Sequence, residues 1–98
     1  MEREKNWIAP MAALAKKGVG SLAHNDRWYL FDQLLFSPQW KTNLDLKILN
    51  VNVYRPQWLR TRRGRYQGYP FRTHSDGYSI AGYSDHFPVY ALIGERVR

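Results

Sequence analysis

The sequence predicts a small α/β fold with one mostly antiparallel sheet and one or two short helices. Two observations lead to this fold class. An alanine-rich segment near the N-terminus carries helix signals, and several short apolar runs after it have strand periodicity. The chain has 98 residues, of which 44% are hydrophobic and 15% aromatic. Because this is enough apolar material for one small core, we expect a single domain across residues 1–98.

The predicted helix begins near Pro10, because proline suits the first turn of a helix. The alanines that follow it are good helix formers. Lys16 and Lys17 favour the C-terminal end of a helix, and Gly18 suits the position just after the last turn. We therefore expect a short helix that stops before Gly18.

Two apolar runs, residues 19–23 and 27–37, flank a polar turn of hairpin size at residues 24–26. The longer run is apolar at successive positions, which is typical of a central strand covered on both faces. Residues 87–93 have the same character. The pattern predicts one hairpin and two interior strands.

Apolar residues occupy even positions from 44 to 48 and odd positions from 49 to 53. Each half of this pattern predicts a strand with one buried face. A shift by one residue turns every side chain of a strand to the other face, so the change of phase needs a β-bulge or a break.

An arginine-rich segment, residues 55–72, contains six arginines and no acidic residue. Its glycines and Pro70 favour a long loop that continues to about residue 82, and a loop of this length favours a functional role. One interpretation is that its guanidinium groups bind phosphates while its aromatic rings stack on bases or sugars. The other is a solvated basic loop whose aromatic side chains cover the core. The candidate phosphate-binding residues are Arg62, Arg63, Arg65 and Arg72.

The formal net charge is +7, with 15 Lys and Arg against 8 Asp and Glu. Such a balance attracts nucleic acid, phosphorylated small molecules or anionic membrane surfaces. Because the chain has no Cys, it cannot form disulfides or Cys-based zinc sites. No apolar run approaches the roughly 20 residues of a membrane span, and the N-terminus lacks the apolar segment of a signal peptide.

Asp32 lies in the middle of the apolar run at residues 27–37. A carboxylate there is costly unless it is paired, so Asp32 needs a partner from another element. The structural alternative is a salt bridge to an arginine. The second candidate is the pair Asp85 and His86, just before an apolar strand. A carboxylate beside a histidine fixes the imidazole tautomer and stabilises its protonated form.

The motif Ser84-Asp85-His86-Phe87-Pro88 resembles the terminal Ser-Asp-His-x-Pro motif of the endonuclease/exonuclease/phosphatase (deoxyribonuclease I-like) superfamily. Upstream, residues 30–37 are similar to that family's Asp-containing strand, which ends in Ser. The resemblance covers the chain from about residue 7 onward. It implies the C-terminal half of a β-sandwich, so that residues 1–98 form a partial domain.

The resemblance also implies roles for individual residues. His86 matches the catalytic histidine that contacts the scissile phosphate, and Asp32 matches the carboxylate that orients it. Asp85 matches an aspartate that helps to form a divalent-metal site. The implied cofactor is magnesium or manganese, because hard carboxylate oxygens suit these ions. The implied activity is hydrolysis of a phosphodiester or a phosphomonoester.

The family's N-terminal motifs are absent from this sequence. The only glutamates lie near its ends, at positions 2, 4 and 95. We therefore expect the chain to be inactive alone, with the missing N-terminal half, or a second copy bound through the exposed sheet face, as its partner. The alternative function is a non-catalytic nucleic-acid-binding module that uses residues 55–72.

Overall fold

The structure is a computed structural model that describes residues 6–75, 77–80 and 82–97. In this part of the chain there is one α-helix, α1 (Ala12–Lys16), and two 3-10 helices, Pro38–Lys41 and Gln57–Leu59. The strands are β1 (Leu22–His24), β2 (Arg27–Tyr29), β3 (Leu46–Val53), β4 (His74–Ser75), β5 (Tyr78–Ser79) and β6 (Val89–Glu95).

Helix α1 ends as the sequence predicts. Gly18 has a φ of +83°, the left-handed conformation that only glycine adopts without strain. Its N–H donates to the Ala15 carbonyl at 3.1 Å, and the next N–H, of Val19, donates to the Leu14 carbonyl at 3.0 Å. These two bonds form a Schellman motif, which turns the chain from α1 toward β1.

The predicted hairpin is confirmed. Strands β1 and β2 pair antiparallel, with His24 opposite Arg27. The two residues between them, Asn25 and Asp26, have φ values of +51° and +63°. A two-residue hairpin turn favours positive φ at both positions because its twist then matches that of the strands, and Asn and Asp tolerate this conformation.

The predicted change of register is also confirmed. Strand β3 pairs antiparallel with β6, and the register shifts between Ile48 and Asn50. Leu49 is the extra residue at this bulge and is 66% exposed. The bulge accounts for the change of phase in the sequence, since the residues on either side of it return to the buried face.

The prediction of a long central strand at residues 27–37 is wrong. Strand β2 ends at Tyr29, and the extended chain after it makes one isolated bridge, between Ile8 and Phe36. Its side chains still alternate, because Leu30 is 7% exposed whereas Phe31 is 70% exposed. Among the described residues no strand runs alongside this segment, so it has one covered face and no hydrogen-bonded ladder.

The single predicted sheet is replaced by three two-stranded antiparallel sheets: β1 with β2, β3 with β6, and β4 with β5. The expectation of an interior strand at residues 87–93 is also wrong. Within the described ranges β6 pairs with β3 alone, and Leu92 and Ile93 are exposed. The predicted loop at residues 55–82 contains a 3-10 helix, an isolated bridge between Arg60 and Pro70, and the β4–β5 hairpin.

The buried core is thin and the chain is flat. Five buried residues form it: Met11, Leu30, Val51, Val53 and Phe87. The radius of gyration is 16.9 Å, whereas a compact domain of about 100 residues has about 13 Å. The accessible surface is 7754 Å², whereas a folded monomer of 11.6 kDa has about 5,800 Å². The excess surface indicates that this chain does not cover its own apolar faces.

Gly82, in the segment that leads to the Ser84–Pro88 motif, lies against the backbone of Phe71 and Arg72. A Cβ at this position would lie 2.1 Å from the Arg72 carbonyl oxygen and 2.3 Å from that of Phe71. Backbone must move to admit it, so Gly82→Ala is expected to lower the free energy of unfolding by about 1–3 kcal/mol, measured by urea denaturation.

Gly94→Ala is the matched control. The three atoms nearest to its added Cβ all belong to the side chain of Leu49, which is exposed and can turn away. A loss of stability as large in Gly94→Ala as in Gly82→Ala would show that the backbone contact is not the cause.

Candidate active site

Asp32 and His86 are 54 residues apart in the sequence and in direct contact in the fold. The Asp32 Oδ2 atom lies 2.5 Å from the Nδ1 atom of His86. The partner that a carboxylate in this apolar segment requires is therefore a histidine and not an arginine. Each side chain is a little over one-third exposed, at 38% for Asp32 and 39% for His86. The pair sits at the surface with one side held by protein and the other open.

Ser21 fixes Asp32 and the backbone next to His86 through two hydrogen bonds. Its side chain is fully buried, and its hydroxyl donates to the same Asp32 oxygen at 2.6 Å. Its carbonyl accepts the N–H of Phe87 at 2.6 Å. One residue next to β1 therefore fixes both the carboxylate and the backbone beside the histidine.

The aromatic core fixes the position of His86 from the other side. Phe87 is 1% exposed, and its ring stacks on Trp28 of β2 with centroids 6.1 Å apart and planes 10° apart. The N–H of His86 donates to the Ser84 hydroxyl at 3.1 Å. Because Phe87 cannot leave the core without a large loss of buried area, the preceding histidine has little freedom to move.

The electrostatics favour an ionised carboxylate. Burial by itself raises the pKa of Asp32, but the hydrogen bonds from Ser21 and His86 and the charge of His86 outweigh it. The pKa of Asp32 therefore lies below its ordinary value of 3.8. An ionised Asp32 accepts from both donors, which keeps the proton of His86 on Nδ1 and leaves Nε2 directed away from the pair.

Asp85 lies on the open side of the pair. Its Oδ1 atom is 3.9 Å from the Nε2 atom of His86, and its side chain is 72% exposed. Within the described ranges no group of three or more His, Cys, Asp or Glu side chains could hold a metal ion. Asp85 can supply one carboxylate ligand, as in magnesium sites that otherwise consist of water and substrate phosphate.

The four arginines proposed as phosphate ligands do not form one group. Arg72 lines the same two cavities as Asp85. Its guanidinium lies 5.2 Å from the ring centre of Tyr66, and Arg65 lies 5.5 Å from that ring. Arg62 and Arg63 line a different cavity. The two ion pairs of His86, with Asp32 and Asp85, involve none of these four arginines.

The comparison with known protein families bears on the resemblance drawn from the sequence. The profile of the Endonuclease/Exonuclease/phosphatase family matches residues 1–95. The chain belongs to this family. Neither the curated proteins nor the solved structures contain a match to it.

The family assignment confirms the resemblance drawn from the Ser84–Pro88 motif and the Asp32 segment. Membership of this family places the chain in the general class of phosphoesterase-type hydrolases. No helix in residues 6–75, 77–80 and 82–97 is long and apolar enough to cross a membrane.

Ser21 is the site residue that the sequence did not reveal. The only available signal was a hydroxyl inside residues 19–23, a run predicted to be a strand. A serine there has many structural uses, and its distance of 11 residues from Asp32 suggests no contact. The pairing depends on the hairpin turn at Asn25 and Asp26, which directs residues 30–36 back past Ser21.

Ser21→Ala is expected to raise the pKa of Asp32, because it removes one of the hydrogen bonds that lower this pKa while burial still raises it. The pKa can be measured by NMR titration of the Asp32 carboxyl carbon. Ser37→Ala is the matched control, because the Ser37 side chain makes no hydrogen bond to the helix that it precedes.

Ser21→Ala should also change how the stability of the fold depends on pH. Since the folded-state pKa of Asp32 is depressed, its interactions stabilise the fold fully above pH 3.8 and are lost as the pH falls through the folded-state pKa. In Ser21→Ala this loss should be smaller and should be complete at a higher pH. An Asp32 titration identical to wild type would rule out the role given to Ser21.

Proposed function

We propose that this chain carries part of the active site of a metal-dependent phosphoesterase of the deoxyribonuclease I-like type. The observation that carries the proposal is the contact between Asp32 and Nδ1 of His86, which places Nε2 on the other side of the ring, 3.9 Å from Oδ1 of Asp85. Family membership supports the reaction class, and the geometry supports these residues as the groups that act on the phosphoryl centre.

Asp32 sets the chemistry of His86. By accepting a hydrogen bond from Nδ1 it fixes the orientation of the imidazole ring. The Nε2 atom is then available to a phosphoryl oxygen or to a water molecule, as a proton donor or a proton acceptor according to its protonation state. In the donor state Nε2 stabilises negative charge on a phosphoryl oxygen, and Arg72 in the neighbouring cavities can assist it.

Asp85 is the proposed metal ligand. Its carboxylate is exposed and belongs to the donor type that magnesium and manganese prefer. A divalent ion held there would supply Lewis-acid polarisation of a phosphoryl oxygen. The Oδ1 atom of Asp85 also lies 3.9 Å from Nε2 of His86, so a phosphoryl group bound by the metal would lie near the histidine.

The proposed site needs further ligands from a partner. We propose that the partner is the other half of a β-sandwich, or a second copy of this chain, packed on the exposed apolar surface. The surface excess described above supports this, as do Phe31 and Leu35, which are 70% and 56% exposed on one side of the extended segment. A covered sandwich would bury such side chains between two sheets.

Titration with Mn²⁺ should broaden the backbone NMR signals of residues 84–86 before those of other residues, because the ion would bind the Asp85 carboxylate. Asp85→Asn should abolish this local broadening. Glu95→Gln, which removes an exposed carboxylate from the far end of β6, is the control and should retain it. Equal broadening in Asp85→Asn and wild type would refute the metal role of Asp85.

The purified chain is expected to hydrolyse bis(p-nitrophenyl) phosphate slowly or not at all with Mg²⁺ or Mn²⁺, because one carboxylate and one histidine do not complete a phosphoryl-transfer site. The assay should compare wild type with His86→Ala. Rapid turnover that His86→Ala abolishes would show that one copy suffices. Rapid turnover that survives His86→Ala would refute the role of the dyad.

A further inference from the structure

We propose that a cavity formed by Trp58, Tyr83 and three arginines binds one nucleotide unit of a single-stranded nucleic acid. Its place as a subsite of the candidate active site rests on the proposed function. The binding itself does not depend on hydrolysis. We refer to this cavity, lined by Trp58, Arg60, Thr61, Arg62, Arg63, Phe71 and Tyr83, as the aromatic–arginine cavity.

The aromatic rings of this cavity contact one another and remain exposed to solvent. Trp58 and Tyr83 meet edge to face, with centroids 5.7 Å apart and planes 88° apart, and Tyr83 meets Phe71 in the same way at 6.3 Å. Trp58 remains 54% exposed and Tyr83 62% exposed. Exposed rings fixed by their neighbours provide faces on which a planar base can stack at low entropic cost.

The cations of the cavity are unpaired in the described structure. No carboxylate within those residues forms an ion pair with Arg60, Arg62 or Arg63. The Nε atom of Arg60 is buried and has no hydrogen-bond partner there. A buried N–H without an acceptor is costly and rare, so the guanidinium of Arg60 lacks part of its hydrogen bonding within the described residues. The cavity, of about 480 Å³, is large enough for a nucleotide.

Tyr83 connects the aromatic–arginine cavity with the surface around Asp85, because it lines both. Tyr83 also lines a second cavity, of about 390 Å³, together with Ser84, Asp85 and Arg72. A strand whose base stacks on Tyr83 can therefore place an adjacent phosphate near Asp85 and His86. Tyr83 directly precedes the motif, and its N–H donates to the Phe71 carbonyl at 2.6 Å, which fixes its backbone.

Single-stranded nucleic acid is the ligand class that uses both features. Its phosphates match the arginines, and its unstacked bases match the open rings. In a duplex the base faces are already stacked, and a lipid headgroup carries anionic charge but no aromatic ring for Trp58 to meet. The absence of acidic residues from the sequence of residues 55–72 would favour any anion, whereas the aromatic rings favour an anion that carries a planar base.

The test is fluorescence anisotropy of a labelled 12-nucleotide oligo(dT) with the full 98-residue chain in EDTA, so that no cleavage occurs. Wild type should bind the single strand more tightly than the same sequence in a duplex or vesicles of anionic phosphatidylserine. Trp58→Ala should weaken binding by about 5- to 150-fold, the range for losing one base stack. Trp58→Phe, which keeps a ring, should retain most of it.

Two matched controls separate the cavity from diffuse charge. Trp7→Ala removes another exposed tryptophan and should bind like wild type. Arg62→Ala/Arg63→Ala should reduce the slope of log affinity against log salt by about 1.4, at about 0.7 per phosphate. Lys16→Ala/Lys17→Ala loses the same charge from α1 and should change both affinity and slope less. Circular dichroism should confirm that each variant is folded.

The outcomes distinguish this proposal from the proposed function. The cavity assignment is wrong if Trp58→Ala and Tyr83→Ala bind like wild type, if the lysine pair matters as much as the arginine pair, or if duplex or vesicles bind best. Oligonucleotide binding through Trp58 without any local Mn²⁺ effect at Asp85 would keep the cavity and refute the metal-dependent site. A local Mn²⁺ effect at Asp85 without oligonucleotide binding through Trp58 would refute the cavity proposal alone.

Discussion

The hydrogen bonds of Ser21 connect the two parts of the chain that form the site. The hydroxyl binds Asp32, the carbonyl binds Phe87, and the amide donates to Tyr29 at 2.9 Å. These bonds join the β1–β2 hairpin to the segment that enters β6. Ser21 is fully buried, so each of these groups depends on its partner and none can exchange it for water. The contact between Asp32 and His86 is possible because this junction is closed.

Away from this buried junction, much of the apolar surface of the fold is exposed. Met11, just before α1, is buried in one core with Val51 and Val53 of β3, yet large apolar side chains remain exposed elsewhere. The dyad therefore lies at the boundary between the buried core, at Phe87, and exposed surface, at Phe31 and Tyr83. A site that must hold two polar groups within hydrogen-bonding distance benefits from this arrangement, because packing around Phe87 limits the motion of His86.

Local features of the fold were readable from the sequence, and features that need a distant neighbour were not. The stop at Gly18, the turn at Asn25 and Asp26, and the bulge after Ile48 follow from a few adjacent residues. The long strand around Asp32 was wrong, because a strand also needs a second strand beside it. For the site, the motif and the demand of a carboxylate for a partner predicted the pairing of Asp32 with His86. The contribution of Ser21 depends on tertiary geometry and left no clear pattern.

The ribbon of β3 and β6 has a practical consequence for work with this chain. In the described structure each strand pairs on one side only, so the ribbon presents two open backbone edges. Unpaired N–H and C=O groups along an edge can recruit strands from other molecules, and the apolar residues of β6 would reinforce such growth. Handling the chain in dilute solution, or adding proline or lysine to an outer edge, would suppress intermolecular sheets. The same open edges make the ribbon a natural point at which a covering element could extend the sheet.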